Sequence, residues 1–166
     1  MITQERLKEV LHYCPETGVF TWKASIERRN SGSVAGYAGA LGYMQVCLDG
    51  SQYSLHRLAI LYMTGSFPKE HTDHIDHNRG NNRWENIRAV SQSENLKNQT
   101  MAKNNRSGFA GVCWHKSSGK WLARIGGTSK RIHLGSFSDV NDAIAARKKA
   151  DIKHGYHANH GQADKR

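Results

Sequence analysis

Cysteine is scarce in this chain of 166 residues: Cys14, Cys47 and Cys113 stand far apart, and none belongs to a C-x-x-C pair. That spacing excludes a secreted disulfide scaffold, argues against a structural zinc ribbon and suits a reducing cytosol. Long apolar runs are missing as well. The best, Leu58 to Met63, falls far short of the roughly 18 residues that a membrane span needs. Glu5, Arg6, Lys8 and Glu9 in the first turns are foreign to a secretory signal, so none is expected there. Hydrophobic residues reach only 37% and mean hydropathy is −0.71, which leaves little material for one large core. Length admits one domain or two small ones, since domains commonly run to about 100–150 residues.

Acidic side chains are also in deficit, 14 against 24 basic ones, for a net charge of +10 and a pI near 9.7. The excess points to a polyanionic partner, nucleic acid or an anionic membrane surface. It is unevenly placed. Residues 1–100 hold 11 basic and 10 acidic side chains, whereas residues 101–166 hold 13 and 4. A solvated tail would explain a charge run alone, but this stretch also carries strand and helix patterning, so a phosphate-binding module fits it better.

Thr3 is placed to cap a short helix with Leu7, Val10 and Leu11 at helical spacing. Pro15 to Gly18 reads as a turn and Val19 to Trp22 as a strand; residues 30–42, rich in Gly, Ser and Ala, read as a loop. Tyr43 to Leu48 and Gln52 to Leu55 flank Asp49-Gly50, a favoured hairpin turn. A buried helix then ends near Gly65, and Pro68 blocks its continuation. A polar stretch around Gln99 to Ser107 marks the expected boundary, with domains at 1–100 and 107–166 and a linker at 101–106. Beyond it, Phe109 to His115, Trp121 to Ile125 and Arg131 to Leu134 read as three strands, with turns at Ser117 to Gly119 and Gly126-Gly127. Val140, Ala143, Ile144, Ala146 and Ala150 form an amphipathic helix capped by Ser138 or Asp139.

The densest chemistry runs from Asp73 to Asn98. Ile75 alternates with His74 and Asp76, which makes the start an extended strand. Asn78 to Arg83 is loop material with Gly80 free to take positive φ, and Ile87 to Val90 returns as a second strand. Ser91 to Glu94 matches a capping box and opens a helix with Asn95 in its first turn. The order is strand, loop, strand, helix. A zinc site from His71, His74 and His77 is disfavoured, because their spacing does not share a strand face. Trp84 is read as a packing residue.

Asp73, His74, Ile75, Asp76, Asn78, Asn81, Asn82, Asn86, Ile87, Arg88, Glu94, Asn95 and Asn98 together resemble the HNH endonuclease family, in the variant of phage and intron-borne homing nucleases whose last His is Asn. The lead-in from His56-Arg-Leu-Ala to Gly65 and Pro68 is similar to that of phage members, while His77 stands where the pattern usually has Gly. The resemblance implies a ββα-metal core at about 70–100, duplex DNA as substrate and the cytoplasm of an infected bacterium as compartment. It also implies His74 as general base, Asp73 and Asn95 as ligands of one Mg²⁺ that Mn²⁺ can replace, and Asn86 as a brace of the loop, with Asp76 and Asn98 in support. An imidazole with an ordinary pKa near 6.5 suits proton abstraction, and hard oxygen donors suit Mg²⁺.

Gly108 to His115, Lys120-Trp121 and Leu134 to Phe137, followed by the alanine-rich helix, resemble an AP2-type DNA-binding domain, which implies a three-stranded antiparallel sheet on one helix. Alternation places Val112, Trp114, Ile132 and Leu134 toward the helix. Cys113, His115, Arg131 and His133 then point outward, joined by Lys116, Lys120 and Arg124 as the DNA-binding face. Ala110 and Cys113 occupy places where plant-type members carry arginine, so direct base contacts should be few. Arg147, Lys148 and Lys149 read as a solvent-facing helix flank, and Trp121 as a residue at the core's edge. The fold expected is α+β, a nuclease half followed by a DNA-holding module. The rivals are an AP2-like regulator with a structural nuclease part, and an RNA-binding protein.

Overall fold

A computed structural model describes residues 1–24, 30–102, 104–126 and 131–162, which fall into two compact units, Met1–Gln92 and Ser93 onward. In the first, Thr3 caps α1 (Gln4–Val10) by accepting the Arg6 N–H at 3.2 Å. Leu11 does not extend this helix; it opens β1 (Leu11–Cys14), which pairs with β2 (Val19–Trp22) across the Pro15–Gly18 turn. The expected loop at 30–42 holds a short strand, β3 (Tyr37–Ala38), beside β4 (Met44–Leu48) and β5 (Ser51–Ser54). Asp49 and Gly50 turn that hairpin with φ of 47° and 74°, the conformation a two-residue turn requires. The helix α2 (Leu55–Thr64) ends at Gly65, whose φ of 81° lets its N–H reach the Leu61 carbonyl. Leu7, Leu11, Tyr13, Phe20 and Leu58 are buried at the centre, and Trp84 packs at the margin. Each fully buried aliphatic or Phe side chain contributes about 1.5–3 kcal/mol. Against this core lie β6 (His71–His74), a 3₁₀ turn at Trp84–Asn86 and β7 (Ile87–Val90).

The second unit takes in most of α3 (Gln92–Leu96), then β8 (Val112–His115), β9 (Lys120–Ile125), β10 (Ile132–Phe137) and α4 (Val140–Lys153). The sheet order is β10-β9-β8, antiparallel throughout, and α4 packs on it through Ala143 against Val112 and Ala123. Asp139 caps α4 through the Asn141 N–H. The units divide at Gln92/Ser93, ahead of the 101–106 stretch, because residues 97–101 bond to the chain's end. His157 N–H donates to the Lys97 carbonyl, Gly161 N–H to Gln99, and Met101 N–H to Gln162. Gly127 of the expected second turn lies outside the described residues.

Three side chains depart from expectation. Trp114 is 48% exposed rather than packed on the helix: the small core sits at the Val112 end of this edge strand, and Trp114 meets Trp121 edge to face at 5.2 Å. Ile132 is 50% exposed, being the first residue of the opposite edge strand; a bulge between His133 and Gly135 then resets the alternation, and Leu134 packs inward. Arg147 is buried, not solvent-facing. Its guanidinium bonds to the Arg124 carbonyl at 2.7 Å and to Asp151 at 2.8 Å, in a place open only because residue 111 is glycine.

Candidate active site

Strand alternation on β6 sends Asp73 and His74 to opposite sides. Asp73 pairs in register with Arg88 of β7, whose Nε and Nη2 donate to Oδ2 at 3.2 and 2.8 Å. His74 turns inward and is 4% exposed. Its Nε2 lies 3.1 Å from the side-chain oxygen of Asn82. That oxygen accepts only, so Nε2 carries the proton and Nδ1 the lone pair. Burial pushes the imidazole below its ordinary value, against the opposing pull of Asn82, Asp76 and Asp73, and so keeps it neutral. A neutral ring with a fixed tautomer is what a general base requires.

Aromatic groups wall this ring. His56 of α2 meets it edge to face at 5.0 Å, Tyr43 lies 5.9 Å away, and Arg79 sits 4.7 Å over Tyr43 while donating to the Leu41 carbonyl. His56 is buried too, and burial, with the nearby His74 and Arg57, lowers its pKa to about 3.

The loop between the strands is organised by one carboxylate. Asp76 Oδ1 accepts from the Asn78 N–H at 2.8 Å and from Asn86 Nδ2 at 2.9 Å, and Oδ2 accepts from Asn81 Nδ2 at 2.8 Å. Burial alone raises its pKa, but these donors together outweigh that and hold it below the usual range. Asn86 closes the loop: its Nδ2 also donates to the Asn81 carbonyl, and its Oδ1 accepts the Asp76 N–H. The left-handed residue here is His77, with φ 64°, and not Gly80.

Residues 53–97 match the model of the HNH endonuclease family. The matched stretch runs from β5 through β6 and β7 to the end of α3. No curated protein and no solved structure matches the chain. Among the described residues no helix is long and apolar enough to cross a membrane.

Asn95 and Asn98 lie on α3 and the turn after it, within the second unit; Asn95 is half-buried and Asn98 buried. Among the described residues no three His, Cys, Asp or Glu side chains are grouped to hold a metal ion. Asp73, with a side chain 13% exposed, offers a carboxylate, the hard oxygen donor that Mg²⁺ prefers. Its chemistry fits Mg²⁺.

In the second unit, cross-strand pairing sets His115 opposite Lys120 and Arg124 opposite His133, and Cys113 shares their side. Cys113, His115, Lys116, Lys120, Arg131 and His133 are exposed and Arg124 is half-buried. Leu122, on the same side, is buried.

Sequence reasoning gave no role to Asn82, His56, Tyr43 or Arg79. The signal for the first two was present, since Asn82 stands inside the HNH pattern and His56 opens its lead-in.

Proposed function

We infer that this protein is a metal-dependent DNA endonuclease that hydrolyses phosphodiester bonds in duplex DNA. The observation that supports this best is a buried, neutral His74 whose Nε2 is held by Asn82, next to Asp73 in sequence and inside the stretch matching the HNH family. His74 takes a proton from water at Nδ1, and the Asn82 oxygen then faces the imidazolium at Nε2. Asp73 and Asn95 would hold one Mg²⁺ or Mn²⁺. When bound, such an ion supplies positive charge at the scissile phosphate and the departing 3′ oxygen. Arg88 orients the Asp73 carboxylate through Oδ2. The products by family analogy are 5′-phosphate and 3′-hydroxyl ends, and one site per chain gives a nick unless two chains assemble.

The basic second unit is the AP2-like module of this reading. It holds DNA through Lys116, Lys120, Arg124 and Arg131, with Cys113, His115 and His133 on the same face, and supplies affinity through counterion release. The motif's likeness to phage homing nucleases supports the cytoplasm of an infected bacterium as its compartment.

Plasmid nicking with and without EDTA tests the activity, and His74→Ala tests the base. The variant should bind DNA as before and cleave none; normal cleavage overturns the assignment. Asp73→Ala and Asn95→Ala should lose activity and regain part of it with more Mg²⁺ or with Mn²⁺. A second reading, a DNA-binding regulator whose nuclease part is structural, draws on the Asp73–Arg88 ion pair, which engages one carboxylate oxygen. It predicts binding without EDTA-sensitive nicking.

A further inference from the structure

The ring of His74 is oriented by Asn82, so whatever fixes Asn82 acts on the base. Asn82 is 2% exposed and sits in a loop that has no regular structure of its own. Asp76 and Asn86 hold this loop from within, and three further contacts reach it from the β1–β2 hairpin. The Tyr13 hydroxyl donates to the Asn82 carbonyl at 2.7 Å. The Trp84 N–H donates to the Pro15 carbonyl at 3.0 Å. Gly18, at φ 73°, presses its backbone against the Asn82–Arg83 peptide so closely that any Cβ would collide with it. These hairpin residues lie outside the stretch that matches the HNH family, 53–97.

We propose that Tyr13 is a positioning residue of the base: its hydroxyl fixes the Asn82 backbone, and the Asn82 side chain fixes the His74 tautomer. The assignment rests on His74 being the general base. Tyr13 is anchored for the task. It is 2% exposed, stacks on Phe20 at 4.6 Å and meets Tyr62 edge to face at 5.7 Å, so its hydroxyl has little freedom to leave Asn82. Its ring belongs to the core and would pack there without the oxygen. The hydroxyl is the part that reaches the loop, and it can be removed alone.

Tyr13→Phe is therefore the test, read in two ways. Imidazole ¹⁵N shifts report which nitrogen of His74 carries the proton, and steady-state cleavage separates kcat from KM. In the variant, the single Nε2–H tautomer of the wild type should become a mixture. kcat should fall about tenfold at unchanged KM for duplex DNA, the scale expected when a reacting group is loosened by a fraction of an ångström. A folded variant with wild-type His74 shifts overturns the proposal. Gly18→Ala pushes the same peptide from the other side and should give the same pattern. Should neither variant fold, the wild type decides: a tautomer mixture at His74 overturns the chain of contacts, and a single Nε2–H form supports it. The ring measurement needs no DNA and no cleavage. It thus stands apart from the nuclease reading, which absent wild-type nicking would overturn.

Discussion

His56 and His74 meet edge to face with their ring centroids 5.0 Å apart, two buried imidazoles in contact. Burial disfavours the charged form of both rings, and His56, at about 3, is held far below the ordinary 6.5. The folded protein keeps His56 neutral where the unfolded chain protonates it. Its contribution to stability is complete above pH 6.5 and is lost as pH falls from there toward 3, by at most about 1.4 kcal/mol per pH unit. Urea unfolding at about pH 7.5 and about pH 5.5 should show the wild type losing roughly 1 kcal/mol more than His56→Leu. Equal losses in the two proteins would remove His56 as the source.

Asn82 contributes one oxygen to His74, and its side chain can be replaced at nearly constant volume. Asn82→Leu removes the acceptor, frees the tautomer and withdraws stabilisation from the imidazolium. Single-turnover cleavage should slow by about 10²-fold, within the range that general-base catalysis supplies, while DNA affinity in a gel shift stays within about twofold. A proportional loss of binding would assign Asn82 to the loop's fold instead.

Much of this arrangement is legible in the sequence. The Asp49-Gly50 turn, the Gly65 stop, β2 and β7 are local: each is fixed by a few neighbours whose φ preference or alternation leaves one choice. The HNH pattern was legible for the same reason, being a dense run of polar residues at fixed offsets. What the sequence hid is long-range. Tyr13 reaches Asn82 across 69 positions, and no periodicity signals a hydroxyl aimed at one carbonyl. Arg147 misled because a lysine-rich neighbourhood reads as solvent-facing, and only Gly111, 36 positions earlier, makes room for its guanidinium. Trp114 and Ile132 obeyed strand alternation, yet a core as small as Val112, Ala123 and Ala143 cannot cover the ends of its edge strands.

His77 adopts φ 64°, a region that penalises any side chain with a Cβ by about 1–2 kcal/mol and leaves glycine untaxed. Because the ring is also buried, replacing it alone would mix two effects. Comparing His77→Gly with His77→Ala cancels the lost ring and leaves the backbone difference. The glycine variant should be the more stable by about 1 kcal/mol in urea unfolding. A more stable alanine variant would mean that this loop is not held left-handed in solution.

Lys116 and Lys120 lie at the β8–β9 hairpin, both exposed, with Lys120 opposite His115. If they meet phosphates, each releases counterions on binding, and the affinity they supply is sequence-independent. Lys116→Ala and Lys120→Ala should each weaken binding to unrelated duplexes alike. Each should also reduce the slope of log K against log salt by about 0.9, measured by fluorescence anisotropy between roughly 50 and 200 mM salt. The double variant should lose about twice that, since the two ammonium groups act as separate point charges. Nicking at saturating enzyme should survive both changes, because the loss falls on encounter with DNA and not on His74. An unchanged slope in the double variant would take the hairpin off the DNA and move the contact elsewhere on the basic unit.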